Sequence, residues 1–365
     1  MKNNNFKKAK SYNKPPMLAG YNYPLGDIQK ARQRNQLLTM RLETSRICNL
    51  RCIYCNGATG KKVPGEISFK AMKKVILEAK SLGAKSVVVI GGGEPTIYRH
   101  FKALIEFIDK NKMVPVVITN GLKLSKDMSR FLYNTNASVL FKLDSLDEQV
   151  QDRLAGKKGT YKLIMKGIDN LLSIGFNKNK GDILRCGASF VLTDLNYKDI
   201  VGIWKFCREN NIYPNLEELI PRNKGLERLD ELWVNKEDVH ALKKEILLLD
   251  RKKYNYDWLI YTPLPGHGCL QFFYSIYITS EGYIQPCADI TIEFYNIKDT
   301  SITEAINGPF FNLVRNIEPN LQGKCLSCKH NRFCVGCRGL AFSMGMKEGL
   351  DVYESVTKED PLCCK

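Results

Sequence analysis

The chain has 365 residues and a mass of 41.6 kDa, which is enough for two or three domains with a sizeable core. Its residues are 44% hydrophobic and 25% charged, no apolar run approaches the roughly 18 residues of a membrane span, and the basic N-terminus lacks the apolar segment of a secretory signal. These features exclude membrane-spanning, collagen-like and wholly disordered proteins and predict a cytoplasmic globular protein.

The N-terminal segment is strongly basic in a chain whose net charge is +17. The first 34 residues contain eight Lys or Arg against one acid, Asp27. We therefore expect residues 1–36 to form a basic arm or a loosely packed extension, most simply a solvated one. The alternative is an arm that binds an acidic peptide or nucleic acid, but no nucleic-acid module motif supports nucleic acid.

Strands and helices alternate over residues 37–225. Runs rich in β-branched residues predict strands at 38–43, 86–90, 114–119, 139–143 and 187–192. Apolar residues at helical spacing predict helices at 69–82, 101–111 and 161–174, the first capped by Ser68. This alternation favours a mostly parallel sheet, open or barrel-like, with its ligand site at the carboxyl ends of the strands.

The second half of the chain changes character. We expect a helical bridge over residues 226–262 and a loop-rich domain over residues 263–365, which holds eight of the 13 cysteines. Without a secretory signal, so many cysteines do not indicate a disulfide framework. Their clustered spacing is typical of metal ligands, and only Cys186 and Cys207 are isolated, as expected of buried apolar residues.

A first cysteine cluster, Cys48-x3-Cys52-x2-Cys55, directly follows the first predicted strand. Three thiolates on one loop can converge on one metal centre. They leave a cubane cluster with one iron open for a substrate. The alternatives are three buried cysteines or a partial zinc site.

A glycine-rich segment, Gly91-Gly92-Gly93-Glu94-Pro95, follows the next strand. Glycines allow a backbone to approach a ligand closely, and the Glu94 carboxylate can accept a hydrogen bond from an ammonium group. The alternative is an ordinary turn from a strand into a helix.

Together, C-x3-C-x-aromatic-C after the first strand and Gly-Gly-Glu about forty residues later resemble the radical S-adenosylmethionine (SAM) enzymes. The resemblance implies a partial (β/α)6 barrel and a [4Fe-4S] cluster on Cys48, Cys52 and Cys55. It also implies that the open iron binds the amino and carboxylate groups of SAM. One-electron reduction then yields methionine and a 5′-deoxyadenosyl radical that abstracts a substrate hydrogen.

The same resemblance implies the other residues that bind SAM. Tyr54 matches the aromatic residue near the adenine, and Lys142 stands where many relatives have a serine that contacts the ribose. The implied SAM-binding residues are Tyr54, Gly92, Gly93, Glu94, Asn120, Asp144 and Ser189.

The C-terminal cysteines form a second cluster, in which Cys325-x2-Cys328 and Cys334-x2-Cys337 are separated by five residues. Two such pairs are compatible with zinc, although this gap is shorter than in a common zinc ribbon. The arrangement resembles the SPASM extension of radical SAM enzymes, which carries two auxiliary [4Fe-4S] clusters and implies three clusters in all.

The resemblance also implies which cysteines hold each auxiliary cluster. The first takes Cys269, Cys287 and Cys337. The second takes Cys325, Cys328, Cys334 and either Cys363 or Cys364. The first cluster then lacks a fourth cysteine, so it has an open iron, a non-cysteine ligand such as His267, or the second terminal cysteine.

SPASM relatives mostly oxidise or cross-link peptides and proteins. The resemblance therefore implies an oxidoreductase that modifies a peptide or protein side chain and receives electrons from a flavodoxin- or ferredoxin-type donor. One alternative is dehydrogenation of a small alcohol or an aminocyclitol-like metabolite. Another is a non-catalytic iron–sulfur or zinc protein.

Asp289 is the candidate catalytic base. Sulfatase-maturing relatives have an aspartate directly after the cysteine that matches Cys287, whereas here Ala288 intervenes. The alternative for Asp289 is a loop carboxylate that caps backbone N–H groups.

Overall fold

The computed structural model describes residues 11–57, 60–178, 181–258, 269–331 and 334–363. The strands are β1 (Met17–Leu18), β2 (Thr39–Glu43), β3 (Ser86–Ile90), β4 (Val114–Thr119), β5 (Ser138–Lys142), β6 (Ile183–Leu184), β7 (Cys186–Leu192), β8 (Tyr213–Glu218), β9 (Ser275–Ile278) and β10 (Ile284–Gln285). The α-helices of the first half are α1 (Leu25–Gln33), α2 (Phe69–Ser81), α3 (Phe101–Lys110), α4 (Lys126–Asn134), α5 (Glu148–Ala155), α6 (Thr160–Ile174) and α7 (Ile200–Glu209).

The helices of the second half are shorter, apart from α10 and α15. They are α8 (Lys224–Glu227), α9 (Leu229–Leu232), α10 (Lys236–Leu249), α11 (Gln271–Tyr274), α12 (Ile302–Asn307), α13 (Pro309–Arg315), α14 (Gly323–Leu326), α15 (Arg338–Lys347) and α16 (Val352–Thr357). No helix within the described ranges is long and apolar enough to cross a membrane.

The main sheet has eight strands in the order β10-β9-β2-β3-β4-β5-β7-β8. The strands from β9 to β8 in this order are all parallel to their neighbours, and only β10 is antiparallel to β9. Each predicted strand lies within one residue of an observed one. The prediction of a mostly parallel α/β fold is confirmed, and its closure into a partial barrel stays a prediction.

Helix α2 illustrates how local sequence sets these elements. The Ser68 side chain accepts a hydrogen bond from the N–H of Ala71 at 3.2 Å, which starts the helix. The helix stops before Gly83, whose φ of +102° favours glycine. Its buried side chains lie at helical spacing and are Met72, Val75, Ile76 and Ala79.

Alternate residues of the sheet enter two separate cores. Val87 and Val117 join the large core under the helices, whereas Val88 and Val116 join a smaller core on the opposite face. Polar side chains further along the strands on this second face therefore point away from the helices.

The N-terminal segment differs from the predicted loose arm. Strand β1 pairs with β6, and both Leu18 and Tyr21 are buried in the smaller core. Arg32 of α1 forms an ion pair with Glu318 at 2.6 Å. The prediction is therefore wrong for residues 17–33, because long-range apolar and ionic contacts hold them, while residues 1–10 lie outside the described ranges.

The C-terminal region is not separate from the main sheet, because β9 pairs with β2 in parallel. The predicted helical bridge contains α10, which is more buried than expected. Its inner face carries Val239, Leu242, Ile246 and Leu247. Just after it, Asp250 is fully buried and accepts hydrogen bonds from Arg208 at 2.7 Å and Trp204 at 2.9 Å. The predicted domain boundaries stay predictions.

Candidate functional site

The first cysteine cluster lies on the loop after β2, at the carboxyl edge of the sheet. Burial raises the pKa of Cys52 to about 12, and the charge of Asp144 and the neighbouring thiols of Cys55 and Cys48 add to this effect. The Leu50 N–H donates a weak hydrogen bond to the Cys48 sulfur at 3.5 Å. Because buried thiols resist losing their protons, binding of a metal centre here is coupled to proton release.

The glycine-rich loop after β3 packs against the residues that immediately precede Cys48 in the cysteine loop. A Cβ on Gly93 would lie 2.0 Å from the Ile47 carbonyl oxygen, and one on Gly92 would lie 2.6 Å from the Arg46 Cδ. The Glu94 N–H also donates to the Ile47 carbonyl at 2.8 Å. The glycines are thus required for contact between the two loops, and their approach to a ligand stays a prediction.

The Glu94 carboxylate is buried and accepts four hydrogen bonds from the chain itself. Oε1 accepts from the Thr96 N–H at 2.9 Å, the Thr96 hydroxyl at 2.5 Å and the Thr119 hydroxyl at 2.7 Å. Oε2 accepts from the Asn120 N–H at 2.8 Å. Burial raises the pKa of Glu94, and these donors oppose the shift. The side chain therefore joins the ends of β3 and β4, and its predicted contact with an ammonium group remains untested.

Replacing Glu94 with glutamine should lower the free energy of unfolding by about 3 kcal/mol. Each carboxylate oxygen faces a backbone N–H that cannot reorient, so the amide NH2 must oppose one of them in either rotamer. Chemical denaturation would measure the loss. Glu106→Gln, on the exposed face of α3, is the matched control. Equal stability of the two variants would contradict this account.

Asn120 and Tyr54 connect the cysteine loop to neighbouring strands. The Asn120 side chain donates to the Asn49 side-chain oxygen at 2.8 Å. The Tyr54 hydroxyl donates to Asp144 Oδ2 at 2.5 Å, and the Val191 N–H donates to Asp144 Oδ1 at 2.9 Å. Tyr54 and Asp144, both predicted to bind SAM, are therefore in direct contact with each other.

Lys142 has the most distinctive environment in this region. Its Nζ lies 3.3 Å from Asp144 Oδ1, 3.9 Å from Glu217 Oε2 and 5.3 Å from the centre of the Tyr54 ring. Burial acts to lower the pKa of Lys142, but the charges of Asp144 and Glu217 outweigh it and raise the pKa. The ammonium group therefore stays charged beside Asp144 and Tyr54, two of the residues predicted to bind SAM.

Ser189 lies in a row of polar residues across the sheet, in register with Lys142 on one side and Asn215 on the other. Among the described residues, the Ser189 hydroxyl and the Asn215 side-chain oxygen are buried without a hydrogen-bond partner. Such atoms commonly mark a ligand site. Asn215 was not predicted, since only the strand register brings it next to Ser189.

The donor chemistry fits SAM and an iron–sulfur cluster. Cys48, Cys52 and Cys55 supply three thiols on one loop, and the unpartnered atoms of Ser189 and Asn215 offer sites for hydroxyl groups. Within the described ranges, no three His, Cys, Asp or Glu residues converge closely enough to hold a single metal ion. A four-iron cluster spaces its ligands more widely than one ion does.

The three cysteines that are predicted to hold the first auxiliary cluster are called here the first auxiliary group: Cys269, Cys287 and Cys337. Burial raises the pKa of Cys287 to about 12, and the charges of Asp289 and Cys269 add to it. Cys337 likewise interacts with Cys269 and with Glu218. The Arg41 charge acts on both Cys269 and Cys287. The structure thus brings together three cysteines that are far apart in sequence.

The second auxiliary group contains Cys325, Cys334 and Cys363. Both Cys325 and Cys334 interact electrostatically with Cys363, and Cys334 interacts with Cys325. Cys328 is partly buried on the same loop, and its role stays a prediction. His267 and Cys364, the two remaining candidate ligands, lie outside the described residues.

Asp289 lies between the first cysteine loop and the first auxiliary group. Its Oδ1 accepts a hydrogen bond from the Asn56 side chain at 2.6 Å, and Asn56 directly follows Cys55. Burial raises the pKa of Asp289, whereas the positive charge of Arg222 opposes this shift. Arg222 also donates to the Asn56 carbonyl at 2.8 Å and to the Ala288 carbonyl at 3.0 Å. Sequence reasoning had not assigned Asn56 or Arg222, whose roles depend on these long-range contacts.

Two family models match the chain. The model of the radical SAM superfamily matches residues 42–207 and therefore includes the first cysteine loop and the glycine-rich segment. The model of the SPASM iron-sulfur cluster-binding domain matches residues 269–329, where Cys269, Cys287, Cys325 and Cys328 lie.

Similar proteins and structures cover most of the chain. The mycofactocin maturase MftC of Mycolicibacterium smegmatis is 25% identical over 330 residues, which cover 83% of this chain and 79% of that protein. Streptococcus suis SuiB bound to the precursor peptide SuiA superposes with a TM-score of 0.70 at 19% identity, covering 92% of this chain and 79% of SuiB. The structure of anSMEcpe with bound AdoMet and the Cp18Cys peptide gives a TM-score of 0.66 at 16% identity, covering 87% of this chain and 95% of that chain.

Proposed function

We propose that this chain, which belongs to the radical SAM superfamily and carries a SPASM iron-sulfur cluster-binding domain, reductively cleaves SAM and oxidatively modifies a side chain of a peptide or protein. The modification is a cross-link or a dehydrogenation. The enzyme works in a reducing cytoplasm with a flavodoxin- or ferredoxin-type electron donor.

The observation that carries this proposal is the position of Asp289 between two cysteine groups. Its carboxylate is 2.6 Å from the side chain of Asn56, which follows Cys55, and it interacts electrostatically with Cys287 and Cys269. A substrate side chain beside Asp289 is therefore close to both groups. An oxidation that removes a hydrogen atom, a proton and an electron requires this kind of arrangement.

Different residues of the chain have different roles in this reaction. When bound, the first cluster would supply the electron that cleaves SAM to methionine and the 5′-deoxyadenosyl radical, which takes a hydrogen atom from the substrate. Cys48, Cys52 and Cys55 hold that cluster. Asp289 accepts the substrate proton, and the cluster that Cys269, Cys287 and Cys337 would hold would accept the remaining electron. Arg222 fixes the loop that carries Asp289 through its bonds to Asn56 and Ala288.

The choice of a peptide substrate draws on the relatives. MftC is named a maturase, SuiB was solved with a precursor peptide, and anSMEcpe was solved with a peptide and AdoMet. A peptide is also the substrate that suits the charge of +17, since acidic peptides are attracted to a basic protein.

Candidate substrates are peptides encoded next to the gene of this enzyme. They should lose the mass of two hydrogens per modification when they are incubated anaerobically with the reconstituted enzyme, dithionite and SAM. Tandem mass spectrometry would detect the loss and locate the changed residue. Reactions without SAM are the control. Unaltered peptides, together with turnover of small alcohols or aminocyclitols by the same preparation, would overturn the peptide assignment.

A further inference from the structure

Glu218 is the last residue of β8 and is deeply buried. Its side chain is only 6% exposed. Oε1 forms an ion pair with the Lys243 ammonium at 2.5 Å. Oε2 has no hydrogen-bond partner among the described residues. An unsatisfied buried carboxylate oxygen costs free energy, so its retention calls for a partner that the described residues do not provide.

The loop that follows Glu218 contacts the segments that carry two cysteines of the first auxiliary group. The loop that follows β8 contacts both sides of this group: the Ser343 hydroxyl of α15 donates to the Pro221 carbonyl at 2.7 Å, and Arg222 donates to the Ala288 carbonyl at 3.0 Å. Helix α15 starts directly after Cys337, and Ala288 directly follows Cys287. The end of β8 is therefore held between the segments that carry two of the three cysteines.

Electrostatic interactions also place Glu218 near the cysteines of the first auxiliary group. The charge of Glu218 acts on both Cys337 and Cys269, and for Cys337 it is the largest effect after burial. Cys269 also acts on Cys287, so one carboxylate and three thiols lie within electrostatic range of one another.

We propose that Glu218 is the fourth ligand of the first auxiliary cluster and binds iron through Oε2, beside Cys269, Cys287 and Cys337. This inference rests on the auxiliary cluster assigned under the proposed function. A carboxylate is an accepted iron ligand, and the ion pair with Lys243 engages Oε1, which leaves Oε2 available to bind iron. It completes the ligand set without His267 or Cys364.

The test needs only the auxiliary clusters, so the full chain is used with Cys48, Cys52 and Cys55 all replaced by serine. In this background we expect Glu218→Gln to change the EPR signal of one reduced auxiliary cluster and to shift its midpoint potential upward, because a neutral amide replaces an anionic ligand. Glu218→Cys should keep a fully ligated cluster and a lower potential than Glu218→Gln.

Two control variants separate ligation from structure. Glu217→Gln removes the same charge from the preceding residue, whose carboxylate lies near Lys142, and should leave both auxiliary signals unchanged. Lys243→Met removes the ion pair but keeps the Glu218 carboxylate, and it should shift the signal less than Glu218→Gln does. Equal effects of Lys243→Met and Glu218→Gln would mean that Glu218 acts only through its ion pair and would overturn the proposal.

A measurement on the unsubstituted chain tests the proposal even if the variants misfold. Pulsed ENDOR on protein labelled with 13C at glutamate side-chain carboxyls should detect a strongly coupled carbon on one auxiliary cluster. Its absence, or unchanged signals in Glu218→Gln together with altered ones in His267→Ala or Cys364→Ala, would overturn the assignment. None of these readouts uses SAM or substrate, so their failure is distinct from failure of the proposed reaction.

Discussion

Cys48→Ala should reduce the formation of 5′-deoxyadenosine to the background without enzyme and lower the iron content from about 12 to about 8 per chain. The three thiols that are predicted to hold the first cluster lie on a single loop, where Cys48 interacts with the thiol of Cys55. Two thiols do not hold a cubane that must also leave one iron open. Anaerobic reconstitution, dithionite reduction and chromatographic quantification of 5′-deoxyadenosine would measure the effect.

Cys186→Ala is the matched control for this variant. Cys186 lies fully buried on β7, where it packs in the large core, and it is outside every proposed ligand set. Its loss should cost about 1 kcal/mol of stability and leave both iron and 5′-deoxyadenosine unchanged. Persistent SAM cleavage by Cys48→Ala would show that the chemistry does not depend on this cluster.

The five predicted strands and helices α2, α3 and α6 were predictable because their signals are local. The run Ser86–Ile90 is rich in β-branched residues, and α2 carries its own cap at Ser68 and its stop at Gly83. Each signal lies within the element that it specifies or within two residues of its ends. The order of the parallel strands follows from the same alternation, since each crossover helix returns the chain to the next strand.

Features that depend on distant residues were missed. Nothing local to Leu18 and Tyr21 indicates that they fill a core against Val88, Val116 and Leu140. Likewise, β9 is too short to predict its pairing with β2. Both contacts join parts of the chain that are far apart, and only the folded topology brings them together.

In the candidate site, too, local sequence signals were predictable and long-range contacts were not. The cysteine positions were evident from spacing, whereas their partners were not. The role of Glu94 in joining two strand ends depends on Thr119 and Asn120, which the topology delivers from the next β/α unit. Glu218 has no motif of its own, and its interest arises from burial beside cysteines more than fifty residues away.

Asp289→Asn should lower the yield of modified peptide by about 10²- to 10⁴-fold while SAM cleavage continues. Asparagine retains the volume of aspartate, and its side-chain oxygen can still accept the hydrogen bond from Asn56. What it loses is the ability to accept a proton. Product and 5′-deoxyadenosine would be quantified in the same reaction, since their ratio separates hydrogen abstraction from the later proton transfer.

Asp299→Asn provides the same chemical change at an exposed position of the C-terminal region and should leave the ratio of product to 5′-deoxyadenosine unaltered. Full product yield from Asp289→Asn would exclude Asp289 as the base. A parallel loss of iron would instead mean that Asp289 supports the cluster beside Cys287, with which its charge interacts. Only uncoupled 5′-deoxyadenosine with intact iron supports a carboxylate that acts after the hydrogen atom has left.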